Sequence, residues 1–127
     1  MMVEHEIVTH GPNALFELTG VVERVARELG DGVVVVFSKG STGALVVIPS
    51  EAAEEYRDAI WGLVPLEGWE HPGNAYAHLR STLIGTSIFI PVSGGQLGIP
   101  EGYGVFFLEN QVANARHRKI YIAGLPG

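Results

Sequence analysis

Apolar residues recur with the period of a helix in some stretches of the chain and with the period of a strand in others. The apolar residues between positions 21 and 29 fall on one side of a helix, and those between positions 52 and 63 do the same. Ser, Thr and Asn cap helices, whereas Gly and Pro end them. The pattern predicts three helices, bounded by Thr19 and Gly30, by Ser50 and Pro65, and by Asn74 and Gly85.

Runs of β-branched and aromatic residues predict the strands. Val33–Phe37 consists of five consecutive strand-forming residues, so we expect it in the centre of a sheet with both faces covered. Ala44–Ile48 repeats that pattern, whereas the weak alternation of Val3–Thr9 indicates an edge strand. The early part of Arg116–Ala123 is expected to be solvent-exposed on both faces. Three further predicted strands are Leu15–Leu18, Thr86–Val92 and Tyr103–Glu109.

The order of these elements predicts the fold class. Two β-α units precede a half that is rich in strands, which is typical of an α+β fold. We expect a curved mixed or antiparallel sheet, half-barrel or sandwich-like, with two to three helices packed on one side. A chain of 127 residues suits a single domain, so residues 1–127 are assigned to one unit.

Composition limits which kinds of partner and which kinds of metal site are expected. The net charge of −6 speaks against a nucleic-acid or anionic membrane partner. Since the chain has no cysteine, any metal site would need His, Asp or Glu ligands. No apolar run approaches the ~20 residues of a membrane helix. These features predict a soluble, cytoplasmic protein.

The polar loop from Lys39 to Gly43 joins two strands that are predicted to be buried. It contains the hydroxyls of Ser41 and Thr42, small residues and a cation, which are the components of an anion-binding nest. The spacing of a P-loop is missing, and a strand rather than a helix follows the loop. Two interpretations stay open: a connecting turn, or a contact to an oxyanion or phosphate.

Two imidazoles flank the start of the third predicted helix. His71 and His78 lie on either side of Asn74, so they could converge on one pocket as metal ligands or as acid–base groups. The alternative is that they are structural residues. Arg80 is either an anion contact or a solvated charge.

Charged residues elsewhere give weaker signals. Glu51, Glu54 and Asp58 share one stripe of the second predicted helix, as on a solvated helix surface, whereas Glu55 lies off that stripe. The basic run Arg116–Lys119 favours a small anion pocket or a subunit contact.

Several segments resemble the YjbQ-like family of small proteins, which are often labelled secondary thiamine-phosphate-synthase enzymes. Residues 74–87 read NAYAHLRSTLIGTS and are similar to the family pattern N-A-x-A-H-L-[KR]-x-x-L-x-G-x-S. The family histidine of H-T-T-A is missing, because Gly40 occupies its position. Other similar segments are Phe16–Thr19, Leu63–Pro65, Ile90–Val92, Gly95–Gly98 and Arg116–Arg118.

The resemblance implies a homotrimer of curved mixed sheets, with polar pockets that are rich in histidine near the subunit interface. It places Ser41 and Thr42 with the surviving family residues in or near such a pocket. A metal held by His71 and His78 would need a third ligand, so the presence of a metal or other cofactor stays open. The residues retained at family positions are Ser41, Thr42, Glu55, His71, Asn74, His78, Arg80, Arg116 and Arg118.

We therefore expect a protein that binds a small phosphorylated or anionic metabolite. If it is an enzyme, the resemblance implies a transferase of the thiamine-phosphate-synthase type. His78 would then act as acid–base group, with Glu55 as a second catalytic residue and the arginines stabilising the leaving phosphate. The alternative is a non-catalytic trimeric binding or assembly protein with a degenerate site.

Overall fold

A computed structural model describes residues 1–64 and 75–127 of the chain. The expected cap at Asn74 and the irregular stretch before it lie outside these residues, as does His71. In chain order, the described elements are β1 (Met2–Gly11), β2 (Ala14–Glu17), α1 (Thr19–Leu29), β3 (Gly32–Ser38), β4 (Gly43–Pro49), α2 (Ala53–Gly62), α3 (Ala75–Ile84), β5 (Ser87–Ser93), β6 (Gln96–Leu97), β7 (Tyr103–Glu109) and β8 (Ala113–Pro126).

The strands form two antiparallel sheets. The larger sheet has the order β1-β8-β3-β5-β6, and the smaller one has the order β2-β7-β4. Together with the three described helices they make an α+β fold with a curled, half-barrel arrangement of strands, which confirms the predicted class. None of the described helices is long and apolar enough to cross a membrane.

The main core lies between the inner faces of the two sheets. Val34 and Ile120 of the larger sheet pack there with Phe107 of the smaller sheet and Val22 of α1. A second cluster on the other face of the smaller sheet joins Val46, Ile48 and Phe106 to Ala53 at the start of α2. The smaller sheet is therefore covered on both faces.

The prediction for Val33–Phe37 is confirmed in position and wrong in burial. Strand β3 is third of five in its sheet, as expected for a central strand. Val34 and Val36 point into the core, whereas Phe37 on the opposite face is 44% exposed. A run of strand-forming residues does not reveal whether its second face is covered. Full burial on both faces belongs instead to β7, in which every residue after Tyr103 is buried.

Two predicted helix caps are also wrong. Thr19 lies inside the first turn of α1, and its Oγ1 accepts a hydrogen bond from Val105 N at 3.0 Å. The hydroxyl thus joins the helix to β7 instead of capping it. Ser50 lies three residues before α2, whose N-cap is Ala52. The error at Thr19 arises because other polar groups compete for a capping hydroxyl.

We predict that Val36→Ala lowers the free energy of unfolding by about 2 kcal/mol, because it removes buried methyl groups and leaves a cavity. Urea denaturation measures this loss. Leu83→Ala is the control, since Leu83 on α3 is 73% exposed, and it should change the free energy by less than about 0.5 kcal/mol. Equal losses in the two variants would contradict the assignment of Val36 to the core.

Candidate functional site

A buried ion pair joins the C-terminal end of β7 to the interior of β8. Arg118 Nε donates to Glu109 Oε1 at 2.9 Å, and Arg118 Nη2 donates to Glu109 Oε2 at 2.5 Å. Arg118 is 2% exposed and Glu109 is fully buried. The expectation that the residues from Arg116 onward in β8 are solvent-exposed on both faces is therefore wrong. An arginine that points into the protein can be buried when a carboxylate neutralises it.

Two threonines complete this buried network. Thr9 Oγ1 donates to Glu109 Oε1 at 2.6 Å, and Arg118 Nη2 donates to Thr42 Oγ1 at 2.7 Å. Thr9 belongs to β1, and Thr42 directly precedes β4. The network consequently connects strands of both sheets through their side chains.

The remaining terminal nitrogen of Arg118 is available for a further contact. Nη1 makes no hydrogen bond to any residue between 1 and 64 or between 75 and 127. It lies beside Gly40, where an added Cβ would come within 3.0 Å of it. Gly40 has φ of +123°, which favours glycine. The backbone at this position therefore leaves Nη1 uncovered by a side chain.

A cavity of about 350 Å³ is lined in part by Gly40, the residue beside Arg118 Nη1. It lies between the loop that precedes β4 and the C-terminal end of α3, and hydroxyl groups dominate its side chains. The backbone N–H groups of Gly40 and Ser41 donate to no described residue. The residues that line the cavity are Gly40, Ser41, Ser81, Thr82, Gly85 and Thr86.

His78 lies on α3 one turn before the cavity. Thr82 follows it by four residues, so the two side chains share a face of the helix. Thr82 Oγ1 donates to the carbonyl of His78 at 2.8 Å. The structure thus places His78 near the cavity, whereas the predicted convergence with His71 and Asn74 concerns residues outside the described part of the chain.

Arg80 is buried, at 1% exposure, and is not a solvated charge. Its Nε and Nη2 donate to the carbonyl of Trp61 at 3.2 and 2.7 Å, and Nη2 also donates to that of Val64. The guanidinium lies over the Trp61 ring, 3.4 Å from its centroid. Burial lowers the pKa of Arg80, and the nearby Tyr76 partly opposes this effect. Arg80 fastens the C-terminal end of α2 and does not line the cavity.

The other predicted site residues lie at the surface. Glu55 is exposed near the start of α2, and its side chain makes no hydrogen bond or ion pair to the described residues. Arg116 is exposed on β8, two residues before the buried arginine. Within residues 1–64 and 75–127, no three His, Asp or Glu side chains are grouped as metal ligands.

Sequence reasoning missed Thr9, Glu109 and Asn110. Asn110 Nδ2 donates to Ser81 Oγ at 3.1 Å, directly behind the cavity wall. A signal was present, because Glu109 ends an otherwise uncharged strand of apolar residues. A carboxylate in such a position needs a buried cation or several hydrogen bonds.

Comparison with known sequences gives a family match over almost the whole chain. The model of the family described as UPF0047 protein YjbQ-like matches residues 3–126. A UPF0047 protein of Archaeoglobus fulgidus is 33% identical over 117 residues, which cover 87% of this chain and 90% of that protein. A UPF0047 protein of Methanothermobacter thermautotrophicus is 29% identical over 120 residues, covering 88% and 84%.

Solved structures share the fold. A hypothetical protein from Aeropyrum pernix K1 superposes with a TM-score of 0.84 at 28% identity, covering 100% of this chain and 99% of that one. An uncharacterised YjbQ/UPF0047-family protein from Clostridium acetobutylicum also gives a TM-score of 0.84, at 22% identity, with coverage of 97% and 99%. The second likeness concerns the fold alone.

We predict that Glu109→Gln lowers the free energy of unfolding by about 3–5 kcal/mol, because it leaves the Arg118 charge buried without its counter-ion. Chemical denaturation measures the loss. The control is Glu6→Gln, which breaks the exposed pair of Glu6 with His117 and should change the free energy by less than about 1 kcal/mol. A loss at Glu109 no larger than that of the control would show that the buried pair does not stabilise the fold.

Proposed function

The chain belongs to the UPF0047 family of YjbQ-like proteins, and from this premise we propose that it binds a small phosphorylated or anionic metabolite in the cavity beside Gly40. The observation that carries the proposal is the free Nη1 of Arg118. Three of the five N–H groups of this side chain are held by Glu109 and Thr42. The other two are fixed in direction and lack a partner among the described residues.

The loop adds further donors to the same place. The N–H groups of Gly40 and Ser41 and the hydroxyl of Ser41 lie at the cavity wall. Successive backbone N–H groups next to a cation form a nest for an oxyanion. Lys39 is exposed at the edge of this loop and contributes positive charge. Together these groups support the anion-binding interpretation of the loop over that of a connecting turn.

A transferase of the thiamine-phosphate-synthase type is the alternative that the family resemblance implies. In favour of it, His78 shares a helix face with Thr82 of the cavity. Against it, Glu55 is exposed on α2 and is absent from the cavity wall, and none of Arg80, Arg116 and Arg118 is among the residues that line the cavity. Arg80 is engaged by main-chain carbonyls, and Arg118 by Glu109. The arrangement favours binding over group transfer.

We also propose that the protein assembles as a homotrimer through the outer face of the larger sheet. Directly paired residues of antiparallel strands share a face, so Val35 of β3 lies beside Phe89 of β5 and Ala123 of β8. Phe89 is 73% exposed, and Leu125 on the same face is 52% exposed. A contiguous apolar surface of this kind is typical of a protein interface. That the assembly contains three copies is inferred from the family resemblance.

We predict that the protein binds inorganic phosphate and that Ser41→Ala weakens this binding about tenfold, because one hydrogen bond to a charged group is lost. Isothermal titration calorimetry measures the affinity. Ser93→Ala is the matched control, since Ser93 is an exposed serine at the other end of β5 and should leave the affinity unchanged. Absence of saturable phosphate binding by the unmodified protein would overturn the proposed function.

We predict that Phe89→Ser converts the assembled protein to monomers, since it replaces an exposed aromatic residue in the centre of the proposed interface. Sedimentation velocity at micromolar concentration measures the state. Leu83→Ser is the control, because Leu83 on α3 is also 73% exposed and lies outside that face. If the unmodified protein sediments as a monomer, the proposed assembly is wrong.

A further inference from the structure

We propose that the metabolite is a phosphate monoester of a small polyol, with its phosphate at Gly40 and its hydroxyl groups against α3. This inference rests on the proposed function, because it assumes an anion at the loop. It goes beyond that function by assigning opposite hydrogen-bonding characters to the two walls of one cavity. The loop wall, formed by Gly40 and Ser41, donates hydrogen bonds, and the helix wall, formed by Ser81 and Thr82, accepts them.

The helix wall lacks free donors at two of its hydroxyls, those of Ser81 and Thr82. The single proton of Thr82 Oγ1 goes to the carbonyl of His78 at 2.8 Å, so this oxygen can only accept a further hydrogen bond. The proton of Ser81 Oγ goes to the carbonyl of Ala77 at 2.8 Å, and the same oxygen accepts from Asn110 Nδ2. A ligand group that faces Thr82 must therefore bring its own proton.

The helix end itself adds negative character to this wall. Ser81 and Thr82 lie in the last turn of α3, and Gly85 and Thr86 follow it. The C-terminal end of a helix carries a partial negative charge from its carbonyl groups. This charge disfavours an anion there and favours hydroxyl or ammonium donors. The phosphate is consequently expected at the opposite wall.

A buried hydrogen-bond acceptor behind the helix wall also favours a ligand group that donates hydrogen bonds. Because Ser81 Oγ must accept its bond, the Asn110 side chain is oriented with Nδ2 toward it, which fixes the position of Oδ1. Asn110 is fully buried, and Oδ1 has no hydrogen-bond partner among the described residues. Such an unsatisfied acceptor next to the cavity wall is suited to a hydroxyl donor or to a water that a ligand hydroxyl holds.

The charge around the loop wall limits how much negative charge the ligand can bring. Glu109 already neutralises Arg118 within the buried pair. The only other cation of the loop is Lys39, which is exposed and therefore screened by water. This balance suits a single phosphate group better than a pyrophosphate. The cavity volume of about 350 Å³ also suits a small ligand.

The test compares inorganic phosphate, glycerol phosphate and pyrophosphate as ligands in calorimetric titrations of the intact protein. We expect glycerol phosphate to bind about tenfold more tightly than inorganic phosphate, which corresponds to one added hydrogen bond. Thr82→Val has the same shape without the acceptor oxygen and should bring the ratio of the two affinities to about one. Thr82→Ser retains the oxygen and should retain the preference.

The outcomes separate this inference from the proposed function. Equal binding of inorganic phosphate and glycerol phosphate would overturn the inference and leave the proposed function standing. Tighter binding of pyrophosphate, or a preference that persists in Thr82→Val, would also overturn it. If none of the three compounds binds, the proposed function fails and the inference fails with it. Circular dichroism of both variants checks that α3 is intact.

Discussion

The pairing of Arg118 with Glu109 in the core is the interaction on which both the fold and the candidate site depend. Burying either charge alone would be strongly unfavourable, so each side chain holds the other inside the protein. The threonines at positions 9 and 42 each add one hydrogen bond to the pair, to Glu109 Oε1 and from Arg118 Nη2. Because these residues come from both sheets, the pair fixes the sheets relative to each other. The same contacts fix the direction of the Arg118 nitrogen that faces Gly40.

Much of the architecture could be predicted from the sequence, because it depends on local patterns. The helical period of the apolar residues located α1, glycines marked the ends of α1 and α3, and the period of two identified β5, β7 and β8. Burial was harder to predict than position. Val33–Phe37 and the residues of β7 look alike as runs of strand-forming residues, although only β7 is covered on both faces. What covers a strand is decided by elements distant in sequence, which no local pattern contains.

The candidate site was predicted in part. The polar loop with Ser41 and Thr42 was identified because its residue types suit an anion, and the structure places it at a cavity. The role of Arg118 was not predictable from a basic run, because its partner Glu109 lies in another strand. Arg80 was misjudged for a related reason, since its partners are main-chain carbonyls, which have no sequence signature. His71 and Asn74 lie outside the described residues, so their predicted roles stay predictions.

The pairing of β1 with β8 also constrains how the chain is made. Within the larger sheet, residues 2–11 pair only with residues 113–123, so β1 pairs with a strand that is synthesised long after it. Until β8 has been synthesised, β1 has no partner strand in the larger sheet, and contacts between such distant residues form slowly. Glu4 and Glu6 on its outer face protect β1 during this interval, because charges on an unpaired strand discourage its association with other chains. The larger sheet is therefore completed only after β8 has been synthesised, when β1 pairs with it.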